Sequence, residues 1–442
     1  MKRVWLSVLL GAWMLGSAAA TELVVATVNN AHMLTMQRLS KHFERAHPGV
    51  RLKWVTLEEG ALRQQVSRDI ATRGGRFDVM TMGLLEVPVW AARGWLTPVE
   101  VDRSYDVDDL LPAIREGLSH AGRLYAAPFY GESSMTMARA DLLKAAGVSL
   151  PAQPTWAQIR DLAARLHDPA RGVHGICLRG RAGWGENVTL ITPMVNSHGG
   201  QWFDMAWRPQ LTSPPWKAAV SLYVDLLRQW GPAGAVANGY NENLALFSQG
   251  KCALWIDATV AGGYVSQPRY SKVAGRVAFA AAPVGPHAKG ASWLWAWALA
   301  IPATTREPAA AQAFVRWATS RAYIELVARE EGWAAVPSGT RRSTYSRPEF
   351  QRANPHAGIE ARAIASANTR DATVPKSPYV GIQFATIPEF QSIGTLVGQE
   401  IATLLVDKGG VDPVLERAQR AVERKMLESG YGAKGSPAGP GR

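Results

Sequence analysis

The chain has 442 residues, 47% of them hydrophobic and 19% charged, with a formal net charge of +12. That length exceeds what one hydrophobic core usually serves, so two lobes are expected, and the composition excludes a disordered or fibrous chain. The basic balance invites a nucleic-acid partner, but Lys and Arg are scattered singly without a long block, so a dispersed solvated surface is expected instead.

Residues 1–20 stand apart. Lys2 and Arg3 precede an apolar run from Val4 to Leu15, and Ala18, Ala19 and Ala20 close it with small side chains. This is the anatomy of a secretory signal peptide, and the run is short of the roughly 20 residues of a spanning helix. No cysteine marks a lipid-anchoring site, so the mature chain is expected to begin at Thr21, outside the cytoplasm. Cys177 and Cys252 are too few for a disulfide scaffold. An exported compartment lets them pair, while two buried free thiols remain the alternative.

The elements then alternate. "ELVVATV" (Glu22–Val28) reads as a buried strand ending at Asn29 and Asn30, and a helix follows from His32 with Met36, Leu39 and Phe43 on one face. "VRLKWVTL" (Val50–Leu57) is a second strand, a helix follows over Ala61–Arg73, and "FDVMTM" (Phe77–Met82) is a third strand. Strands alternating with helices imply parallel pairing and an α/β fold. "YAAPFY" and "SMTMARA", on either side of Gly131 to Ser133, look like strands leaving one lobe and entering the next. Thr155 caps the helix of "PTWAQIRDLAARLHD". "SWLWAWALAIP" (Ser292–Pro302) is a strand carrying Trp293, Trp295 and Trp297 at alternate positions, and helices follow over Glu307–Ser320, Ile387–Gly409 and Val411–Gly430. The expected division is 1–20 signal peptide, 21–131 with 290–340 as the first lobe, 132–289 with 341–430 as the second, and 431–442 as a flexible tail.

Catalytic signatures are missing: there is no nucleophile elbow, phosphate-binding loop or zinc helix. His42 and His47 have the wrong spacing for one helical face, and Glu58 and Glu59 point oppositely on a strand, so neither a metal, a cofactor nor a catalytic residue is assigned. Loops rich in aromatic and polar groups remain. Ligands sit beyond the carboxyl ends of strands in open parallel sheets, where Asn30, Glu59 and Asp257 fall. Amides and carboxylates bond hydroxyl groups while indoles cover C–H surfaces, a mixture suited to a sugar or polyol.

"FDVMTMGLLEVPVWAARGWLTPVE", "PFYGESSMTMARADLL", "GWGEN", "ENLALFSQGKCALWIDATVAGG" and "WLWAWALAIPATT" together resemble the family 1 extracellular solute-binding proteins, the binding components of carbohydrate ABC importers. The likeness is to the subgroup serving sorbitol and mannitol. It spans about Thr21 to Glu428. It implies a two-lobed type II periplasmic-binding fold with ligand in the cleft, closure around it, and delivery to permease subunits by a monomer. After "VNN" the resemblance leads one to expect Gly-Asp; Ala31-His32 stands there, so His32 is a candidate for altered specificity or a helix cap.

Each candidate has two readings. Asp257 ends an otherwise apolar strand and needs ligand hydroxyls or hinge backbone as partner. Tyr130 and Glu132 sit at the proposed crossing, Glu132 as a ligand contact or a hinge hydrogen bond and Tyr130 as a ligand contact or an ordinary half-buried aromatic. Trp184 lies between glycines, as a stacking surface or exposed lid, and Glu186 and Asn187 follow as ligand contacts or caps. Glu58 and Trp333 complete the set. Trp293 and Trp295 are placed nearer the ligand and Trp297 in the core, with Trp54, Trp90, Trp95, Trp156, Trp230 and Trp317 as packing. An oligosaccharide ligand and a secreted carbohydrate-active enzyme with separated carboxylates are the competing functions.

Overall fold

A computed structural model describes residues 20–407 and 409–431. The expected signal segment before Ala20, and the expected flexible tail from residue 432, lie outside the described residues.

Among the described residues twelve strands occur in chain order: β1 (Thr21–Val28), β2 (Val50–Leu57), β3 (Val79–Met82), β4 (Leu96–Thr97), β5 (Ser119–His120), β6 (Arg123–Leu124), β7 (Ala126–Glu132), β8 (Ser134–Arg139), β9 (His174–Cys177), β10 (Cys252–Ala258), β11 (Val277–Ala281) and β12 (Trp295–Pro302). β5 and β6 form a small separate hairpin.

The first sheet has the order β2-β1-β3-β12-β4, with β7 also paired to β12. β1 runs parallel to β2 and β3, and the helices Ala31–Leu39 and Glu59–Thr72 supply the crossovers that parallel pairing requires. The helix expected from His32 through Phe43 is broken at Ser40 into Ala31–Leu39 and Lys41–Ala46, yet Met36, Leu39 and Phe43 are all buried. β12 is antiparallel to β3, with Ala298 opposite Met82, and antiparallel to β7, with Trp295 opposite Glu132 and Trp297 opposite Tyr130. A register shift between Trp297 and Ala298 interrupts that second ladder.

The second sheet has the order β11-β8-β10-β9, with β8 antiparallel to both neighbours and β9 parallel to β10. A disulfide joins Cys177 of β9 to Cys252 of β10, their Cα atoms 5.9 Å apart. It lies in an apolar cluster with Met135, Met137, Phe247 and Trp255. The helices Phe390–Val406 and Val411–Glu428 pack on each other and on Pro214–Trp230. In the helix Trp156–Leu166, Thr155 Oγ1 accepts from the Gln158 amide while Gln158 Oε1 accepts from the Thr155 amide, a reciprocal cap worth about 1 kcal/mol.

The two sheets meet at Ser133, the single residue between β7 and β8. Its amide donates to Thr259 Oγ1 at 3.2 Å, and its carbonyl accepts from the Thr259 amide at 2.8 Å. Its hydroxyl donates to the Trp293 carbonyl at 2.7 Å. One residue, through its backbone and its hydroxyl, thus ties together the ends of β7, β10 and the segment entering β12.

Candidate ligand site

Beyond Ser133, between the two sheets, lies a narrow cavity that opens in part to solvent. Its walls come from both lobes. The first contributes Asn29, Asn30, Glu58, Glu59, Arg63, Tyr130 and Glu132; the second contributes Arg179, Arg181, Trp184, Glu186, Thr189, Tyr240 and Asn241; Trp293, Trp295, Trp297 and Gln383 close the base.

The aromatic wall is built edge to face. Trp184 and Trp295 lie 5.5 Å apart at 70°, and Trp295 and Trp297 5.5 Å apart at 84°. The Arg63 guanidinium sits 4.0 Å from the Trp184 ring centre and 5.0 Å from those of Trp295 and Trp297. Such cation–ring contacts in a dry site hold both partners in place. Gly83 makes room for this arrangement: a Cβ there would fall 2.0 Å from the Trp295 ring. Gln383 clamps the strand entry, its amide donating to the Leu294 carbonyl at 2.7 Å.

The polar wall is organised by three arginines. Arg179 binds Asp257 through Nε at 3.0 Å and Nη2 at 2.6 Å, and donates from Nη1 to the Gly185 carbonyl at 2.8 Å. Arg63 donates to Glu59 Oε1 at 2.8 Å and to Glu86. Arg181 donates to Glu242 at 2.8 Å and to the Ala237 carbonyl at 3.0 Å. Asn30 caps the helix Ala31–Leu39, accepting from the Met33 amide at 3.0 Å, and donates to the Tyr130 hydroxyl at 3.0 Å.

Other groups are left over. Among the described residues the Glu132 side chain has no hydrogen-bond or ion-pair partner, although it is buried; burial chiefly, then the nearby Asp257 and Glu59 against the opposing pull of Arg179, pushes its carboxyl up to about 8. Glu186 is raised also, by burial, with Arg179 at 3.8 Å and Arg181 at 3.7 Å opposing. The indole N–H groups of Trp184 and Trp293 and Oε2 of Glu186 are buried without hydrogen-bond partners among the described residues. Buried polar groups are normally satisfied, so unpaired donors and acceptors lining one cavity are those a ligand can complete.

The lobes also touch across the cavity mouth. Asn241 Nδ2 donates to the Asn29 carbonyl at 3.1 Å, Arg181 lies 3.9 Å from Glu58, and Ser67 donates to Gln391 at 3.2 Å.

Residues 27–325 match the family of bacterial extracellular solute-binding proteins. The chain belongs to that family. It is 51% identical to the mannitol-binding protein of Pseudomonas aeruginosa strain PAO1, over 93% of this chain and 94% of that one. An ABC transporter solute-binding protein from Agrobacterium vitis S4, solved with bound D-mannitol, superposes with a TM-score of 0.92 at 50% identity, covering 93% of this chain and all of its own. A ribitol complex from Agrobacterium radiobacter K84 shares the fold with a TM-score of 0.81 at 24% identity, over 93% of this chain and 99% of that one. The fold of this solute-binding protein is the two-lobed α/β architecture expected from the sequence. The family consists of sugar- and polyol-binding ABC importer components that work with permease subunits, and membership implies a periplasmic location. Its relatives are ligand-binding transport proteins.

Of the residues named from the sequence, Asn30, Glu58, Glu59, Tyr130, Glu132, Trp184, Glu186, Trp293 and Trp295 line the cavity of this solute-binding protein. Elsewhere the structure departs from expectation. Asp257 does not line it: its carboxylate is wholly buried and taken by Arg179, the Trp255 indole N–H and the Ala258 amide. His32 lies behind the wall, its ring 5.0 Å from Tyr130 and 5.1 Å from Tyr264; burial lowers it to about 3, so it is neutral. Trp333 is remote, half-buried beside a separate hollow lined by Arg321 and Arg347. Trp297 is buried as expected but faces the cavity, because it shares a strand face with Trp295. Trp184 is buried to 3% exposure, not an open lid, because Arg63, Trp295 and Phe390 surround it. Asn187 is structural, bonding Gly183 and Gly398.

The arginines were missed. Arg179 and Arg181 follow the end of the strand His174–Cys177, the same strand-end signal that pointed to Asn30. Arg63 sits one helical turn after Glu59, which an i, i+4 pairing would have flagged. Gln383 lies in irregular chain, with no periodic signal.

Proposed function

We propose that this protein is the periplasmic binding component of an ABC importer for a hexitol, with D-mannitol as its foremost ligand and sorbitol next. The observation that carries this reading is the cavity: unpaired indole N–H groups and carboxyl oxygens stand beside a stack of tryptophans. Polyol hydroxyls would satisfy the first and polyol C–H surface would cover the second. Half-identity to a mannitol-binding protein and to a mannitol-bound structure supports the same ligand.

In this reading Glu132, Glu186, Asn30 and the indole N–H of Trp184 bond ligand hydroxyls, Trp293, Trp295 and Trp297 face its carbon chain, and the latch of Asn241 on Asn29 holds the cleft shut. Asp257 and Arg63 act as positioning residues through Arg179 and the indoles. Residues 1–20 serve as an export signal. The lobes divide at Ser133 and again where the chain enters β12, and the monomer delivers its ligand to the permease. Calorimetry against mannitol, sorbitol, arabitol, ribitol and maltose tests the assignment. Submillimolar binding of a hexitol, recovered unchanged after incubation, is expected. No heat and no thermal shift with any alditol sinks it, and turnover of a glycoside would favour the enzyme reading.

A further inference from the structure

The cavity wall carries both charge types, and they are not equally available to a ligand. Every guanidinium is committed to protein acceptors: Arg63 to Glu59 and Glu86, Arg179 to Asp257 and the Gly185 carbonyl, Arg181 to Glu242 and the Ala237 carbonyl. The carboxyl side is open. Neither oxygen of Glu132 has a partner among the described residues, Glu186 accepts no hydrogen bond, and Glu59 uses only Oε1 toward Arg63.

This asymmetry discriminates by ligand charge. A carboxylate or phosphate on the ligand would have to draw on arginines already bonded to protein acceptors, with only Arg181 Nε and Nη1 making no hydrogen bond among the described residues, and it would lie against Glu132 and Glu186. Taking Arg179 from Asp257 would strand a carboxylate with no access to water. A neutral hydroxyl meets these groups without such conflict. An ammonium supplies the donors and the charge that the carboxyls lack.

We propose, resting on the polyol reading above, that Glu132 and Glu186 make this cavity a charge filter, admitting neutral alditols and amino-alditols and rejecting aldonates, uronates and sugar phosphates. Glu132 faces Arg179, Asp257, Glu59, Glu360, Tyr130 and Tyr240, and Glu186 faces Arg179 and Arg181 with Glu59 and Asp257 beyond. Both carboxyls are shifted upward, so near neutral pH they hold protons; an ammonium ligand favours their ionised forms and expels those protons on binding. Affinity for an amino-alditol therefore rises with pH relative to the neutral alditol, until the ligand's own amine deprotonates.

The test is calorimetry on the exported full-length protein with D-mannitol, 1-amino-1-deoxy-D-mannitol and D-mannonate at about pH 6.5 and about pH 8.5. The ratio of amino-alditol to mannitol affinity is expected to rise about tenfold between the two, with mannonate at least about a hundredfold weaker than mannitol at about pH 8.5, where the carboxyls ionise. A mannonate affinity within about tenfold of mannitol at about pH 8.5, or a ratio flat or falling with pH, overturns the charge filter and leaves the polyol reading standing. A chain that binds none of the three overturns both. Glu132→Gln, checked for folding by circular dichroism, is expected to lower that ratio about tenfold at the higher pH. An unchanged ratio in a folded variant removes Glu132 from the filter and overturns the assignment.

Discussion

Arg179 Nη2 donates to Asp257 Oδ1 at 2.6 Å, and the carboxylate has no exposure to solvent. The pair forms the base of the polar wall, so Asp257 acts through Arg179. Asp257→Asn leaves a buried guanidinium uncompensated, which is expected to cost about 3–5 kcal/mol of stability. Urea denaturation measures it. A variant of unchanged stability that lost mannitol affinity would return Asp257 to the role of a direct contact.

Trp184 presents an unpaired indole N–H while its ring lies under Arg63. Trp184→Phe keeps a ring beneath the guanidinium and deletes the donor. Affinity for D-mannitol is expected to fall about five- to tenfold with little change in melting temperature. Unaltered affinity would show that the indole is only a wall.

Gly185 approaches Glu59 from the opposite lobe, and a Cβ there would fall 1.9 Å from Glu59 Oε1. That oxygen is held by two bonds from Arg63, so it cannot swing aside freely. Gly185→Ala is expected to prop the cleft open, weakening mannitol binding at least about tenfold. Small-angle scattering should show the variant failing to contract when mannitol is added, and full contraction would refute the clash.

The raised carboxyl of Glu132 has a consequence for stability. Unfolded, it ionises near the ordinary 4.5; folded, it keeps its proton to about 8. Between those values the folded state binds more protons, so stability falls as pH rises through the window and the loss is complete above it. Glu132→Gln should flatten this slope in urea titrations compared at about pH 5 and about pH 8.5. A slope identical to the parent's would place the titrating group elsewhere.

The disulfide between Cys177 and Cys252 closes a sequence separation of 75 residues within the second sheet. Its removal in a Cys177→Ser, Cys252→Ser double variant is expected to cost about 2–4 kcal/mol, chiefly by freeing the unfolded chain. Equal stability of parent and double variant would count against a structural role.

The sheets were legible because their strands are short apolar runs bounded by turns, and the fold followed from alternation and resemblance. The site was half legible. Strand ends led to Asn30 and Glu59, since chain direction alone puts them at the cleft, and the expected lobe crossing led to Glu132. The same logic misassigned Asp257, because a strand-end carboxylate is equally well used by a buried arginine, and that partner lies 78 positions away. His32 and Trp333 failed because helix rotation and tertiary packing, not local pattern, decide where they face.

The position of β12 also dictates an order of events. Its residues lie between β3 and β7 in the first sheet, yet they come some 160 positions after β7 in the chain. A polypeptide threaded outward N-terminus first would present β1, β2, β3 and β7 long before their central partner emerges. β3 and β7 would each stand with an unpaired edge until Trp295–Pro302 arrived, and pairings of such long range form slowly. Export of this chain should therefore depend on a holding factor outside the membrane, or on late passage of the whole domain, more than its final stability would suggest.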